Sequence, residues 1–141
     1  MIYRNLLPWI LCAVFSVSTS IASAEMISLK AELSGANEVP PNDRPATGMA
    51  TLTFDTDSKT LSWKIVFDNL SGPLIGAHIH GPANTSGNAG ILLPMNEEQD
   101  PIEGETTLVE EQARHLLNGD TYLNLHTEAH PGGEIRGQIT K

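Results

Sequence analysis

Between Ile27 and the C-terminus, short runs in which every second residue is apolar alternate with clusters of Gly, Pro, Asn, Asp and Ser. Period two belongs to a strand, whose successive side chains point to opposite faces, and its repeated interruption by turn residues is the pattern of an antiparallel sandwich or barrel and not of a helical bundle. The expected class is therefore all-β, an antiparallel Greek-key sandwich or barrel with one short helix. Ile27 to Leu33 reads as the first strand, followed by a Pro-, Asn- and Asp-rich loop from Gly35 to Pro45. Gly48 to Phe54 and Leu61 to Phe67 flank Asp55-Thr56-Asp57-Ser58-Lys59 and form a hairpin. Ala50, Leu52 and Phe54 share one face of it, and Leu61, Trp63, Ile65 and Phe67 the matching one. The aromatic residues are read as core.

Leu74 to His80 is a further strand and leads into the polar loop Gly81 to Gly90. Ile91 to Leu93 is a short strand expected to end at Pro94, Asn96 to Pro101 an acidic connection, and Ile102 to Val109 another strand. Thr107 to Gly119 carries the helical signal. Thr107 and Glu110 have capping-box spacing, Val109, Ala113, Leu116 and Leu117 form one stripe, and Gly119 closes the end, leaving His115 on the solvent side. Tyr122 to Thr127 and Glu134 to Thr140 make a terminal strand pair around Pro131-Gly132-Gly133.

Residues 1–24 have the layout of a secretory signal. Arg4 precedes an apolar run from Leu6 to Val17, and Ala22-Ser23-Ala24 is a small-residue cleavage pattern. The expected mature domain is 25–141, periplasmic or secreted, with no membrane span. Cys12 is the chain's one cysteine and lies in the leader, so no disulfide is expected. The net charge of −9 becomes one unit more negative without Arg4, which argues against a nucleic-acid partner.

The pointed feature is Gly76-Ala77-His78-Ile79-His80-Gly81. On a strand His78 and His80 project from one face while Ala77 and Ile79 project from the other, and α-carbons two residues apart are separated by roughly 7 Å, a spacing across which two imidazoles can lean onto one ion. If Leu123 and Leu125 face the core, then Tyr122, Asn124 and His126 share the histidine face. His126 is thus the candidate third ligand and His130 the candidate fourth. Imidazole nitrogens suit copper or zinc, whereas calcium and magnesium prefer oxygen. A blue-copper centre needs a thiolate that the mature chain lacks. The competing reading is that the pair bonds loop carbonyls and only shapes a turn. No catalytic constellation appears: there is no Gly-x-Ser-x-Gly elbow, no cysteine nucleophile and no phosphate-binding glycine loop. Glu97, Glu98, Asp100 and Glu103 read as a solvated acidic stretch.

Four segments in order, Leu33-Ser34-Gly35-Ala36-Asn37-Glu38-Val39-Pro40-Pro41, Gly76 to Ala83, Tyr122 to Thr127 and Pro131 to Ile139, resemble the CHRD domain, the module first described in chordin. The resemblance covers nearly the whole expected mature chain. It implies a β fold, a role within growth-factor antagonists for the animal proteins, and small exported proteins among bacterial members. A looser similarity is to copper/zinc superoxide dismutase, a β-barrel with a His-x-His strand on copper. Against that reaction, the mature chain lacks the cysteine pair and a clear bridging histidine. The leading expectation is a β domain binding copper or zinc through a surface histidine cluster, for metal handling. The alternatives are a non-catalytic module for an extracytoplasmic protein partner, and a copper-dependent redox enzyme.

Overall fold

The computed structural model describes residues 24–95 and 100–141. Its strands are β1 (Met26–Ser34), β2 (Thr47–Asp55), β3 (Thr60–Asp68), β4 (Leu74–His80), β5 (Ile91–Met95), β6 (Ile102–Thr107), β7 (Tyr122–Thr127) and β8 (Ile135–Gln138). A 3₁₀ turn, Gly35–Asn37, follows β1, and a single helix among the described residues, α1 (Glu110–Asn118), lies between β6 and β7. All strand pairs are antiparallel, in the order β5-β4-β7-β8-β1-β2-β3-β6, and the sheet curls into a nearly closed barrel. After the β4–β5 hairpin the chain returns to place β6 beside β3 and then β7 beside β4, a Greek-key path. The expected all-β class is the one found.

Alternation fixes the inner face. Leu29, Ala31 and Leu33 of β1 are buried opposite Leu52, Ala50 and Gly48 of β2. Leu61, Trp63 and Ile65 continue the layer on β3, while Phe67, expected with them, is only partly buried where the strand leaves the core. Leu123, Leu125, Ile135 and Ile139 close it from β7, β8 and the segment beyond. The two strands at the ends of the sheet are unattractive templates for pairing, since β5 is short and contains Pro94, and β6 carries Glu103 and Glu105.

Several local expectations are corrected. Pro94 does not end β5 but lies within it opposite His78; this strand pairs only with β4, so a residue without an N–H is tolerated there. Thr107 does not cap the helix because it is held in the β6 ladder opposite Thr60. The helix starts instead after Val109, whose N–H donates to Gln112 Oε1 at 3.0 Å. Gly119 does close it, with φ 76°. Val109 is exposed and His115, expected in solvent, is buried. The turn at Gly119 brings the Asp120 carboxylate to 3.0 Å from His115 Nδ1, and Arg114 Nη2 donates to His115 Nε2 at 2.9 Å, which satisfies both ring nitrogens. The last strand is shorter than Glu134 to Thr140, with Thr140 making only an isolated bridge to Lys30.

Nearly all of the expected leader lies outside the described residues, as do Asn96 to Gln99 of the acidic connection. No helix among the described residues is long and apolar enough to cross a membrane.

Candidate metal centre

The face of β4 and β7 turned away from the core carries the histidines. In the β4–β7 register His80 lies opposite Tyr122, His78 opposite Asn124, and Gly76 opposite His126. His78 and His126 are therefore diagonal neighbours on one face, and the ring centroids of His78, His80 and His126 lie 5.6, 4.7 and 5.7 Å apart. Each residue offers one ring nitrogen, and the three offered lie within 4.8 Å of one another. Gly76 makes this approach possible: a Cβ there would meet His78 Cε1 at 3.2 Å and Nε2 at 3.3 Å.

The parity of this face follows the sequence, but its exposure does not. Every residue of β7 is buried, on both faces, and His80 and His126 are each only 8% exposed. The cluster is therefore not an open surface patch but a largely sheltered polar layer outside the sheet, with His80 and His126 buried and His78 half-buried. Loops cover it through hydrogen bonds: Asn124 Nδ2, which also donates to the β8 carbonyl of Ile135 at 2.9 Å, donates to Glu38 Oε1 at 2.6 Å, and Gln138 Nε2 donates to the Ala83 and Gly119 carbonyls, each at 2.9 Å.

These loops also fix the imidazoles. His80 Nδ1 donates to the Ala89 carbonyl at 3.0 Å, and His126 Nδ1 donates to the Pro131 carbonyl at 3.0 Å. With the proton on Nδ1, the lone pair is on Nε2, and His80 Nε2 and His126 Nε2 are both buried without a hydrogen-bond partner. His78 Nδ1 is buried and unpartnered as well. Orphaned buried nitrogens are uncommon, because a buried polar atom without a partner costs about 1–3 kcal/mol. Three in one cluster, each able to present a lone pair, match the donor set of a transition-metal ion, and no thiolate or carboxylate is among them.

Electrostatics favours the ligating form. Burial lowers the pKa of all three imidazoles below the ordinary histidine value. At His78 the charges of His126 and His80 push the same way, while at His80 and His126 the bonds to Ala89 and Pro131 act against burial without overcoming it.

His130 does not join the three. Its backbone closes the turn after β7, its N–H donating to the Thr127 carbonyl at 3.0 Å and its carbonyl accepting from Gly133 at 3.0 Å, and its imidazole acts electrostatically on Glu134. Sequence reasoning missed Gly76, whose signal was a glycine two residues before His78 and hence on the same face. It also missed Arg136, which is 1% exposed and lies with its Cζ 3.5 Å from the centroid of the Tyr122 ring. Tyr122 in turn stacks on His80 at 5.0 Å with the planes 5° apart.

A family model described as the CHRD domain matches residues 29–139. Chordin of Danio rerio is 32% identical over 120 residues, which is 79% of this chain but 13% of that protein. No solved structure matches the chain.

Proposed function

The chain belongs to the CHRD domain family, and from that premise and the convergent imidazoles we propose that it is an extracytoplasmic CHRD domain that holds one copper or zinc ion through His78, His80 and His126, in metal handling. The observation that supports this reading is the set of three buried, unpartnered ring nitrogens, two of them on rings whose other nitrogen is tied to a loop carbonyl. In metal sites such outer partners fix the tautomer and strengthen the ligand. Copper and zinc both accept imidazole, and either ion would act here as bound cargo or as a structural clasp.

Calorimetric titration of the tag-free protein with zinc and with copper tests this. Stoichiometric uptake is expected in the wild type and its loss in the His78→Ala/His80→Ala variant. Equal, negligible uptake by both forms rejects the metal reading. Because burial lowers all three histidine pKa values, the neutral, ligating form persists to a lower pH than in free histidine, so uptake is expected to fall only in more acid solution than it does with free histidine as ligand, where protons displace the ion. Gly76→Ala is expected to weaken uptake about tenfold, the lower end of what loss of ligand orientation costs, because the new methyl forces the His78 ring aside. Thermal unfolding of that variant without metal should stay close to the wild type.

A second reading has its own support. A mixed-charge cleft of about 660 Å³ lined by Lys30, Glu38, Arg136 and Gln138 is a reasonable recognition surface for a protein partner. On that reading the domain is a non-catalytic interaction module, and the same calorimetric experiment separates the two.

A further inference from the structure

The loop 81–90 leaves β4 directly after His80, enters β5 at Ile91, and has every residue exposed or half-buried. With no apolar anchor, its position rests on polar ties, and these converge on the histidine centre. His80 Nδ1 donates to the Ala89 carbonyl at 3.0 Å, the Ala89 N–H donates to the Tyr122 hydroxyl at 3.1 Å, and the Tyr122 ring stacks on His80. His80, Ala89 and Tyr122 thus form a closed triangle.

Arg136 extends the triangle along the loop. Its guanidinium lies over the Tyr122 ring, Nη2 donates to the Asn84 and Gly87 carbonyls at 2.9 and 2.8 Å, and Nη1 donates to Asn88 Oδ1 at 3.0 Å. Asn88 Nδ2 in turn donates to the Val39 carbonyl at 2.8 Å. Val39, Arg136 and the loop residue Ser86 all line the 660 Å³ cleft. One continuous set of contacts therefore runs from an imidazole to a wall of the cleft.

We propose that an ion held by the three imidazoles fixes the His80–Ala89–Tyr122 triangle and through it the 81–90 loop, so that the metal centre and the cleft form one coupled binding unit. The inference rests on the metal reading above. Coordination at Nε2 fixes the His80 ring, and a fixed ring holds the Nδ1 bond to Ala89. Ordering the loop in this way makes a wall of the cleft ready before any partner arrives, and by linkage a change that loosens the loop weakens the hold on the ion, by no more than the coupling between them.

Amide hydrogen exchange of the full-length protein with and without zinc, beside zinc calorimetry, tests the coupling. Zinc should slow exchange at Gly87 and Ala89 by about tenfold or more. Asn88→Ala and Tyr122→Phe should each weaken zinc binding by about fivefold or more, the lower end of typical coupling between sites, although neither removes a ligand. Tyr122→Phe keeps the ring against His80 and loses only the hydroxyl, and Asn88 is an exposed loop residue, so both variants should fold. Zinc uptake with unchanged loop exchange, and with both variants binding as the wild type does, overturns the coupling and leaves the metal reading standing. Absence of zinc uptake by the wild type overturns both.

Discussion

Arg136→Leu is expected to lower the unfolding free energy by about 3–5 kcal/mol, the cost of breaking a buried charged network by removing one member. The guanidinium is almost fully buried and makes three hydrogen bonds to the 84–88 segment besides its contact with Tyr122. Leucine fills part of the volume and leaves those acceptors without their donor. The variant should also change its pH dependence. Burial already raises the pKa of Glu38, against the opposing Asn124 bond and the Arg136 charge, and removing that charge raises it further. A carboxyl whose folded pKa lies above its unfolded value contributes most below the unfolded value and loses that contribution as pH rises through the folded one. The penalty of Arg136→Leu should therefore be larger at pH 7 than at pH 4.5. Arg136→Lys keeps the charge near Glu38 but not the planar fork, and should fall between the two. Denaturant unfolding at the two pH values measures both effects, and a loss below about 1 kcal/mol would show that the loop holds without its clamp.

Two residues earlier, Glu134→Ala is expected to cost a comparable amount, about 3–5 kcal/mol, because the Glu134 side chain is 0% exposed and satisfies three donors at once. The Ser71 N–H reaches Oε1 at 2.8 Å, the Ser71 hydroxyl reaches Oε2 at 2.8 Å, and the Thr127 hydroxyl reaches Oε2 at 2.6 Å. Burial works to raise the pKa of this carboxyl, but these bonds, together with the charge of His130, bring it below the ordinary glutamate value. A lowered folded pKa gives stability that is complete above the unfolded value of about 4.5 and is lost as pH falls below it. The wild type should thus lose stability on acidification in this window, and Glu134→Gln, which keeps the shape without the titration, should show a shallower slope. Identical slopes in the two proteins would remove Glu134 from the acid transition.

The histidine face was legible in parity and illegible in burial. Tyr122, Asn124 and His126 alternate with Leu123 and Leu125, so their common face followed from the sequence alone. Polar side chains facing away from a core are ordinarily read as solvated, and His78 with His80 and His126 was accordingly expected on the surface. The structure instead lays the 81–90 loop and the segment around Glu38 over them. Those loops are held by side chain to backbone bonds from Arg136, Asn88 and Gln138. Such bonds have no period and leave no hydrophobic signature, so neither composition nor spacing announces them. His115 is the same lesson on the helix: its hydrogen-bond partner Asp120 lies beyond the turn at Gly119, outside any 3.6-residue pattern.

The sequence by itself determined the strands, the face each side chain takes and the parity that puts His78, His80 and His126 on one side, because a period of two is a local property of extended backbone. Only the tertiary structure decided that β7 lies next to β4 in a register that sets His126 opposite Gly76, that His130 stays apart, and that the face is sheltered. Strand adjacency, register and loop cover depend on contacts between residues distant in the chain, and those are chosen by the closing of the barrel as a whole.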